Sequence, residues 1–304
     1  MSAARSTVSR SEAAAKAKVL IEALPYIKRF ADKVVVVKYG GNALAGATSD
    51  TEALAVFAQD IVMMHAVGIR PVIVHGGGPQ ISSMMKRLGK TSEFRNGLRV
   101  TDAETVDIAR MVLRGQVNPQ IVSAINVHGP LAIGVGGEDG GLLRASPIGN
   151  GELGFVGDVT SVNPTILKRL LAEELIPVVA TIGADAAGQG YNINADTVAG
   201  AIAESLQAEK LVYLTDIEGL RRNVDDPASL IRQTTARELE LLMADGTLSG
   251  GMIPKIESCA RAVRGGVKRA HILDGRIPHV LLLEVFTDEG IGTMVDGTVK
   301  GDPT

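Results

Sequence analysis

Unbroken apolar runs alternate along this chain with segments whose apolar residues recur at helical spacing. Val34-Val-Val-Val37 has no polar break, and Val72-Ile-Val74 repeats the pattern. Such runs read as strands buried on both faces of a parallel sheet. Residues 176–182, 210–215 and 269–273 read the same way, with a short last strand at 293–295. Between them, residues 50–67, 80–88, 103–114, 164–173 and 236–244 read as helices, and 280–287 as a helical or mixed apolar run. An alanine-rich helix follows Asp196, and another opens at Gly250-Gly-Met-Ile-Pro-Lys255. Shorter strands with glycine turns fill 131–135, 142–146 and 155–162. Strands alternating with helices imply an α/β fold with a parallel sheet.

The start of the chain stands outside this alternation. Residues 1–10 are rich in serine and alanine and read as disordered. Residues 12–30 read as a helix with Leu20, Leu24 and Ile27 on one face and Pro25 interrupting or kinking it. That helix either packs on its own domain or forms an arm that packs on a second subunit, and periodicity alone leaves both open.

Composition narrows the classes. In 304 residues, 45% are hydrophobic and 21% charged, ordinary for a globular protein with a sizeable core. Aromatics are 3% with no tryptophan, so alanine, valine, isoleucine and leucine must build that core. The 35 glycines gather at strand ends. A net charge of −3 offers no basic surface for nucleic acid or an anionic membrane. The lone cysteine, Cys259, cannot form an internal disulfide and reads as a small packed residue, which fits a reducing, cytoplasmic setting. No run of about 18 apolar residues suggests a membrane span, and no signal peptide is evident.

Candidate chemistry sits at the strand ends, where ligands bind in open α/β sheets. Lys38 closes the first strand and Gly40-Gly41 follow. His75-Gly-Gly-Gly-Pro79 joins the second strand to a helix N-terminus, an anion site by its free N–H groups and dipole. His75 itself reads as a packed residue at the strand end. Gly89-Lys90-Thr91 resembles the tail of a P-loop, but Met84 stands where the required glycine should be, and no Gly-x-Gly-x-x-Gly follows a strand. Arg99 in a loop could fork onto a carboxylate or simply be solvated. Asn192, Asn194 and Asp196, spaced by two before a helix, could cap it or line a polar site. Lys255 near a helix N-terminus is better tolerated if an anion sits there too.

Lys38-Tyr-Gly-Gly-Asn42, His75-Gly-Gly-Gly-Pro79, Asn96-Gly-Leu-Arg99, Asn192-Ile-Asn-Ala-Asp196, Thr215-Asp-Ile-Glu-Gly219 and Gly250-Gly-Met-x-x-Lys255 occur in that order. Each is weak alone; together, over residues 31–296, they resemble the N-acetylglutamate kinases of the amino acid kinase family. The resemblance implies a three-layer αβα sandwich around a mainly parallel sheet, in two lobes. Residues 1–30 would hold the tail and an interaction helix, 31–190 an N-lobe for N-acetyl-L-glutamate, and 191–304 a C-lobe for ATP with Mg²⁺ and for arginine. The implied reaction converts N-acetyl-L-glutamate to N-acetyl-L-glutamyl 5-phosphate, the second step of arginine biosynthesis.

On this resemblance Lys38 and Lys255 hold the transferring phosphoryl group and Asp196 orients both lysines. Gly40, Gly41, Gly76 and Gly77 offer N–H groups to phosphates and substrate. Arg99 clamps the substrate α-carboxylate, and Asn192 and Asn194 bind its polar groups. Thr215, Asp216 and Gly219 shape the nucleotide pocket, and no protein metal ligands are assigned. The helix at 12–30 resembles the one that links dimers into a hexamer in arginine-sensitive members, and His271, Glu284 and Gly290 fit their arginine site. Some relatives bind a PII signalling protein, and no residue here argues for one. Other readings are a related kinase acting on N-acetyl-aminoadipate or another acidic amino acid, and a catalytically silent arginine sensor, against which intact Lys38, Lys255 and Asp196 argue.

Overall fold

The computed structural model describes residues 9–40, 50–95, 97–149, 151–223, 225–248, 252–287 and 290–297. Of residues 1–10, read as disordered, 1–8 lie outside these, and Arg10 instead opens the first helix. Gly41 and the glycines at 250 and 251 also lie outside the described residues.

The N-terminal half runs α1 (Arg10–Phe30), β1 (Val34–Tyr39), α2 (Asp50–Ala66), β2 (Arg70–His75), α3 (Gly78–Arg87), the hairpin β3 (Phe94–Arg95) and β4 (Leu98–Arg99), α4 (Ala103–Val112), a π-helical turn over Leu113–Val117, and α5 (Asn118–Asn126). Then come β5 (Ala132–Gly136), β6 (Leu143–Pro147), β7 (Val156–Val162), α6 (Thr165–Ala172), β8 (Ile176–Ala180), β9 (Ile182–Ala184) and β10 (Gly190–Ile193). The remainder is α7 (Ala195–Ser205), β11 (Lys210–Thr215), β12 (Gln233–Thr235), α8 (Ala236–Ala244), α9 (Ile253–Arg264), β13 (Arg269–Asp274), α10 (Val280–Phe286) and β14 (Thr293–Asp296).

Eight strands form the central sheet in the order β12-β14-β13-β11-β1-β2-β8-β5. From β13 to β5 every pairing is parallel. β14 runs antiparallel to β13, and β12 pairs parallel with β14. Alternate side chains of each strand enter cores on opposite faces. Val36, Val72, Val74, Leu211 and Tyr213 pack with α6, α7, α8 and α9. Val35, Val37, Ile73, Val212 and Leu214 pack with Phe30 of α1 and with α2, α4, α5 and α10. This is the three-layer arrangement that the resemblance implies.

Three expectations change. The apolar run at 176–182 is two strands, because β8 pairs with β2 and β5 only as far as Ala180, after which β9 turns to pair with β10. With β6 and β7 these two strands close a small four-stranded barrel beside the main sheet. The helix read at 103–114 continues to Asn126 through the π-turn. Pro119 lacks an N–H and its ring crowds the carbonyl four residues back, and the wider turn before it relieves that conflict. Finally, α1 runs through Pro25 without a break and, among its described side chains, packs on its own domain through its second half. Phe30 is buried, whereas Val19, Leu20 and Ile21 are 63%, 65% and 70% exposed.

Candidate active site

Side-chain alternation explains how the site assembles. Lys38 follows Val36 on the face of β1 covered by α7 and α9. Asp196 lies in the first turn of α7 and Lys255 in the first turn of α9. The three meet at the carboxyl end of β1. Lys38 Nζ lies 3.1 Å from Asp196 Oδ1. Lys255 Nζ lies 2.9 Å from Asp196 Oδ2. All three are nearly enclosed. Burial alone would raise the Asp196 carboxyl, but Lys38 and Lys255 outweigh it and hold the group at about 2. Burial pulls the Lys38 ammonium below the ordinary lysine range, and Asp196 opposes that pull.

Behind Asp196 a second layer fixes its backbone. The hydroxyls of Ser258 and Tyr213 approach the Asp196 carbonyl at 2.6 and 3.2 Å, and Lys255 Nζ sits 5.3 Å above the Tyr213 ring. A Cβ on Gly200 would come 2.5 Å from Ser258 Oγ, so glycine there lets α7 and α9 approach closely. Sequence reasoning missed Ser258 and Tyr213, since a serine in a helix and a tyrosine in a strand carry no signal of this contact.

The glycine loops after β1 and β2 touch. Gly76 N–H donates to Tyr39 O at 3.2 Å. Gly40 has φ +144°, and a Cβ on it would lie 3.0 Å from Gly76 N. Gly77 precedes α3, and a Cβ there would meet Leu113 Cδ2 at 2.7 Å. Lys38, Gly76, Gly77, Arg99, Asn192, Asn194 and Asp196 together line a cavity of about 210 Å³.

Arg99 is not the solvated residue of one reading. It is buried on β4, and its terminal nitrogens donate to Ser92 Oγ at 2.6 Å and to Gly78 O and Ser82 Oγ at 2.8 Å. Nη1 also contacts Met85 Sδ at 3.5 Å, so the four terminal N–H groups all face protein partners. Asn194 is the N-cap of α7, its oxygen accepting from Asp196 N at 2.8 Å and Thr197 N at 3.4 Å. Both roles raised by its spacing thus apply, since it caps a helix and lines the cavity.

A second cavity, about 330 Å³, is lined by Asp216, Glu218, Gly219, Arg221, Leu248 and Met252, among others. Gly219 has φ +146°, and a Cβ there would meet Thr293 Oγ1 at 2.7 Å, so the turn after β11 closes against β14 only without a side chain. Thr215 is buried at the end of β11, its hydroxyl 3.2 Å from Asp216 Oδ1, and lies behind the lining residues. Arg276, which sequence reasoning did not single out, lines this cavity and is held bidentately by Asp274 at 2.8 Å.

Residues 33–274 match the amino acid kinase family. The chain belongs to that family. It is 55% identical over 279 residues to an acetylglutamate kinase of Synechococcus sp. (strain CC9311), covering 92% of this chain and 96% of that one. It is also 55% identical over 291 residues to an acetylglutamate kinase of Saccharopolyspora erythraea, covering 94% of each. Among solved structures it resembles N-acetylglutamate synthase from Neisseria gonorrhoeae complexed with coenzyme A and N-acetyl-glutamate, with a TM-score of 0.80 at 29% identity. That match covers 93% of this chain but only 64% of the synthase. The same synthase complexed with coenzyme A and L-arginine gives a TM-score of 0.75 at 28% identity, covering 93% and 66%.

A third cavity, about 410 Å³, lies on the opposite face of the sheet, lined by Tyr26, Phe30, Lys210, His271, Glu284 and Gly290 among others. Glu284 is buried on α10. Its Oε1 is 2.8 Å from Lys210 Nζ and 2.8 Å from His271 Nδ1. Burial would raise the Glu284 carboxyl, but His271 and Lys210 outweigh it and keep it below the ordinary range. Burial also pushes the His271 imidazole down, which keeps it neutral at pH 7. Lys210 went unrecognised in the sequence because a lysine opening a strand reads as a solvated end.

Proposed function

We propose that this chain is an ATP-dependent kinase that phosphorylates the side-chain carboxylate of N-acetyl-L-glutamate, giving N-acetyl-L-glutamyl 5-phosphate and ADP, and that L-arginine inhibits it. The observation that carries the reading is Asp196 held between Lys38 and Lys255 beside the cavity of Gly76, Gly77 and Arg99. The kinase relatives over nearly the whole chain support the same substrate.

The chemistry suits that site. A substrate carboxylate with an ordinary pKa of about 4.3 is ionised at pH 7, so it attacks the γ-phosphorus without a general base. The enzyme must bring two anions together and stabilise charge on the transferring group. Asp196 stays ionised and keeps both ammonium groups aimed at one place. The cluster then carries one positive charge in excess, available to a phosphoryl group. Gly40, Gly41, Gly76 and Gly77 lend N–H groups to it. Arg99 supplies positive charge to the α-carboxylate, exchanging serine contacts for the ligand, while Asn192 and Asn194 meet the acetyl-amide. Thr215, Asp216 and Gly219 shape the nucleotide end. In this reading Mg²⁺ enters with ATP as co-substrate.

In this reading the guanidinium of arginine meets the Glu284 carboxylate and the Nε2 of neutral His271, an acceptor with no partner among the described residues. Gly290 lies at the rim. In the same reading the exposed apolar face of α1 packs on another copy and links dimers into a hexamer. The test is ADP release with Mg-ATP and a panel of N-acetyl-glutamate, N-acetyl-aminoadipate, glutamate and aspartate, with and without arginine. Turnover on N-acetyl-glutamate that falls with added arginine is expected. Turnover on another acid only would overturn the substrate, and indifference to arginine would overturn the third cavity's role.

A further inference from the structure

One buried histidine has no part in the mechanism above. His75 ends β2 with no exposure at all, on the sheet face toward α4 and α5 rather than toward Lys38. Both ring nitrogens are engaged. Nδ1 is 3.0 Å from Gly76 O, and Nε2 is 3.0 Å from Asn118 Nδ2. The orientation of the Asn118 amide is not arbitrary, because Nδ2 also donates to Val178 O at 2.8 Å. Its second N–H therefore points at Nε2, which must accept. A neutral ring accepting at Nε2 carries its proton on Nδ1, and Nδ1–H donates to Gly76 O. Burial pushes the imidazole down to about 4, which agrees with a ring that stays neutral.

The consequence lies one bond further on. Gly76 O belongs to the Gly76–Gly77 peptide, and the described chain holds no cis peptide. In a trans peptide the C=O and N–H point in opposite directions. A carbonyl turned toward the His75 ring leaves Gly77 N–H on the far edge of the plane. Gly76 and Gly77 line the 210 Å³ cavity while His75 does not. Gly77 N–H has no acceptor among the described residues. Leu113 and Val117, from the two ends of the π-turn, pack against Gly77, Leu113 also lining the cavity, and the same turn sets Asn118 opposite His75. A π-turn kept beside a site often marks function.

We propose that His75 is a positioning residue, held by Asn118 as the Nδ1–H tautomer, that locks the Gly76–Gly77 peptide so that Gly77 N–H faces the transferring phosphoryl group. This rests on the kinase reading of the cavity. The two amide side chains that mimic halves of imidazole separate a positioning role from a structural one. In His75→Asn the amide falls where Nδ1 was and can still donate to Gly76 O. In His75→Gln it falls where Nε2 was, keeping the Asn118 contact and losing that donor.

The experiment is steady-state kinetics of both variants with N-acetyl-glutamate and Mg-ATP, beside ring ¹⁵N NMR of the labelled parent protein. A misplaced donor can cost up to about 100-fold in rate. The expected result is a kcat about 10- to 100-fold lower for His75→Gln, KM within about threefold, and kcat for His75→Asn within about threefold of the parent. The His75 ring should show the neutral Nδ1–H form at pH 7. A His75→Gln kcat within threefold of the parent, equal losses in both variants, or an Nε2–H ring in the parent protein each overturn the proposal. The ring spectrum decides even if a variant does not fold. A parent protein with no turnover would instead sink the kinase reading beneath it.

Discussion

Asp196 and Glu284 are both buried carboxylates, each gripped by two basic side chains, yet they are suited to opposite ligands. Asp196 lies between two lysines, and the cluster keeps one positive charge in excess. Glu284 lies between a lysine and a neutral histidine, and that cluster retains a free acceptor on His271. The first attracts an anion. The second offers a carboxylate and a neutral acceptor to a cationic group. Strand alternation separates them as well. Lys38 ends β1 on the face covered by α7 and α9, whereas Lys210 opens β11 on the face covered by α1 and α10. One sheet thus carries the lysine pair at its strand ends and the Glu284 cluster at its strand starts.

The comparison breaks most sharply if Asp196 loses its charge. Asp196→Asn leaves two enclosed ammonium groups facing each other, and removing one partner of a buried pair costs about 3–5 kcal/mol. The urea midpoint should fall accordingly, and a loss below about 1 kcal/mol would mean the lysines do not depend on it. A somewhat smaller effect is expected from acid. His75 has a folded pKa of about 4, against about 6.5 unfolded. The folded state therefore binds fewer protons in that window. Stability is complete above pH 6.5, falls as pH drops toward 4, and levels off below, for a loss of about 3 kcal/mol. His271 acts in the same direction. Unfolding free energies across that range should show the slope, and His75→Gln should flatten it. The smallest effect expected is in Glu284→Gln, which removes a charged hydrogen-bond partner worth about 1.5–3 kcal/mol to a guanidinium. The arginine concentration for half-inhibition should rise about 10- to 100-fold, and an unchanged value would remove Glu284 from that site.

The two regions were not equally legible. β1, β2 and β11 are unbroken apolar runs because both faces of the sheet are covered, and glycine loops mark their ends, so the anion site could be placed from residues alone. That Asp196 joins the two lysines came only from resemblance, since an aspartate in the first turn of a helix also reads as ordinary dipole chemistry. α5 escaped notice because Asn118-Pro119 reads as a break, and nothing in the local pattern announces the π-turn that absorbs the proline. Arg99 was undecided because its burial depends on Ser82 and Ser92, two small polar residues with no signature. The Glu284 cluster is built from α10, β11 and β13, and no local pattern links elements that far apart in the chain.

The central claim is that the paired lysines around Asp196 stabilise a transferring phosphoryl group. Turnover of Lys255→Ala on N-acetyl-glutamate, read beside its thermal midpoint, tests it most directly. Asp196 keeps Lys38 in this variant, so the fold should hold, with Tm within a few degrees of the parent. The account predicts a kcat about 100- to 1,000-fold lower, the loss typical of one preorganised donor. A folded Lys255→Ala enzyme turning over within about threefold of the parent would contradict it.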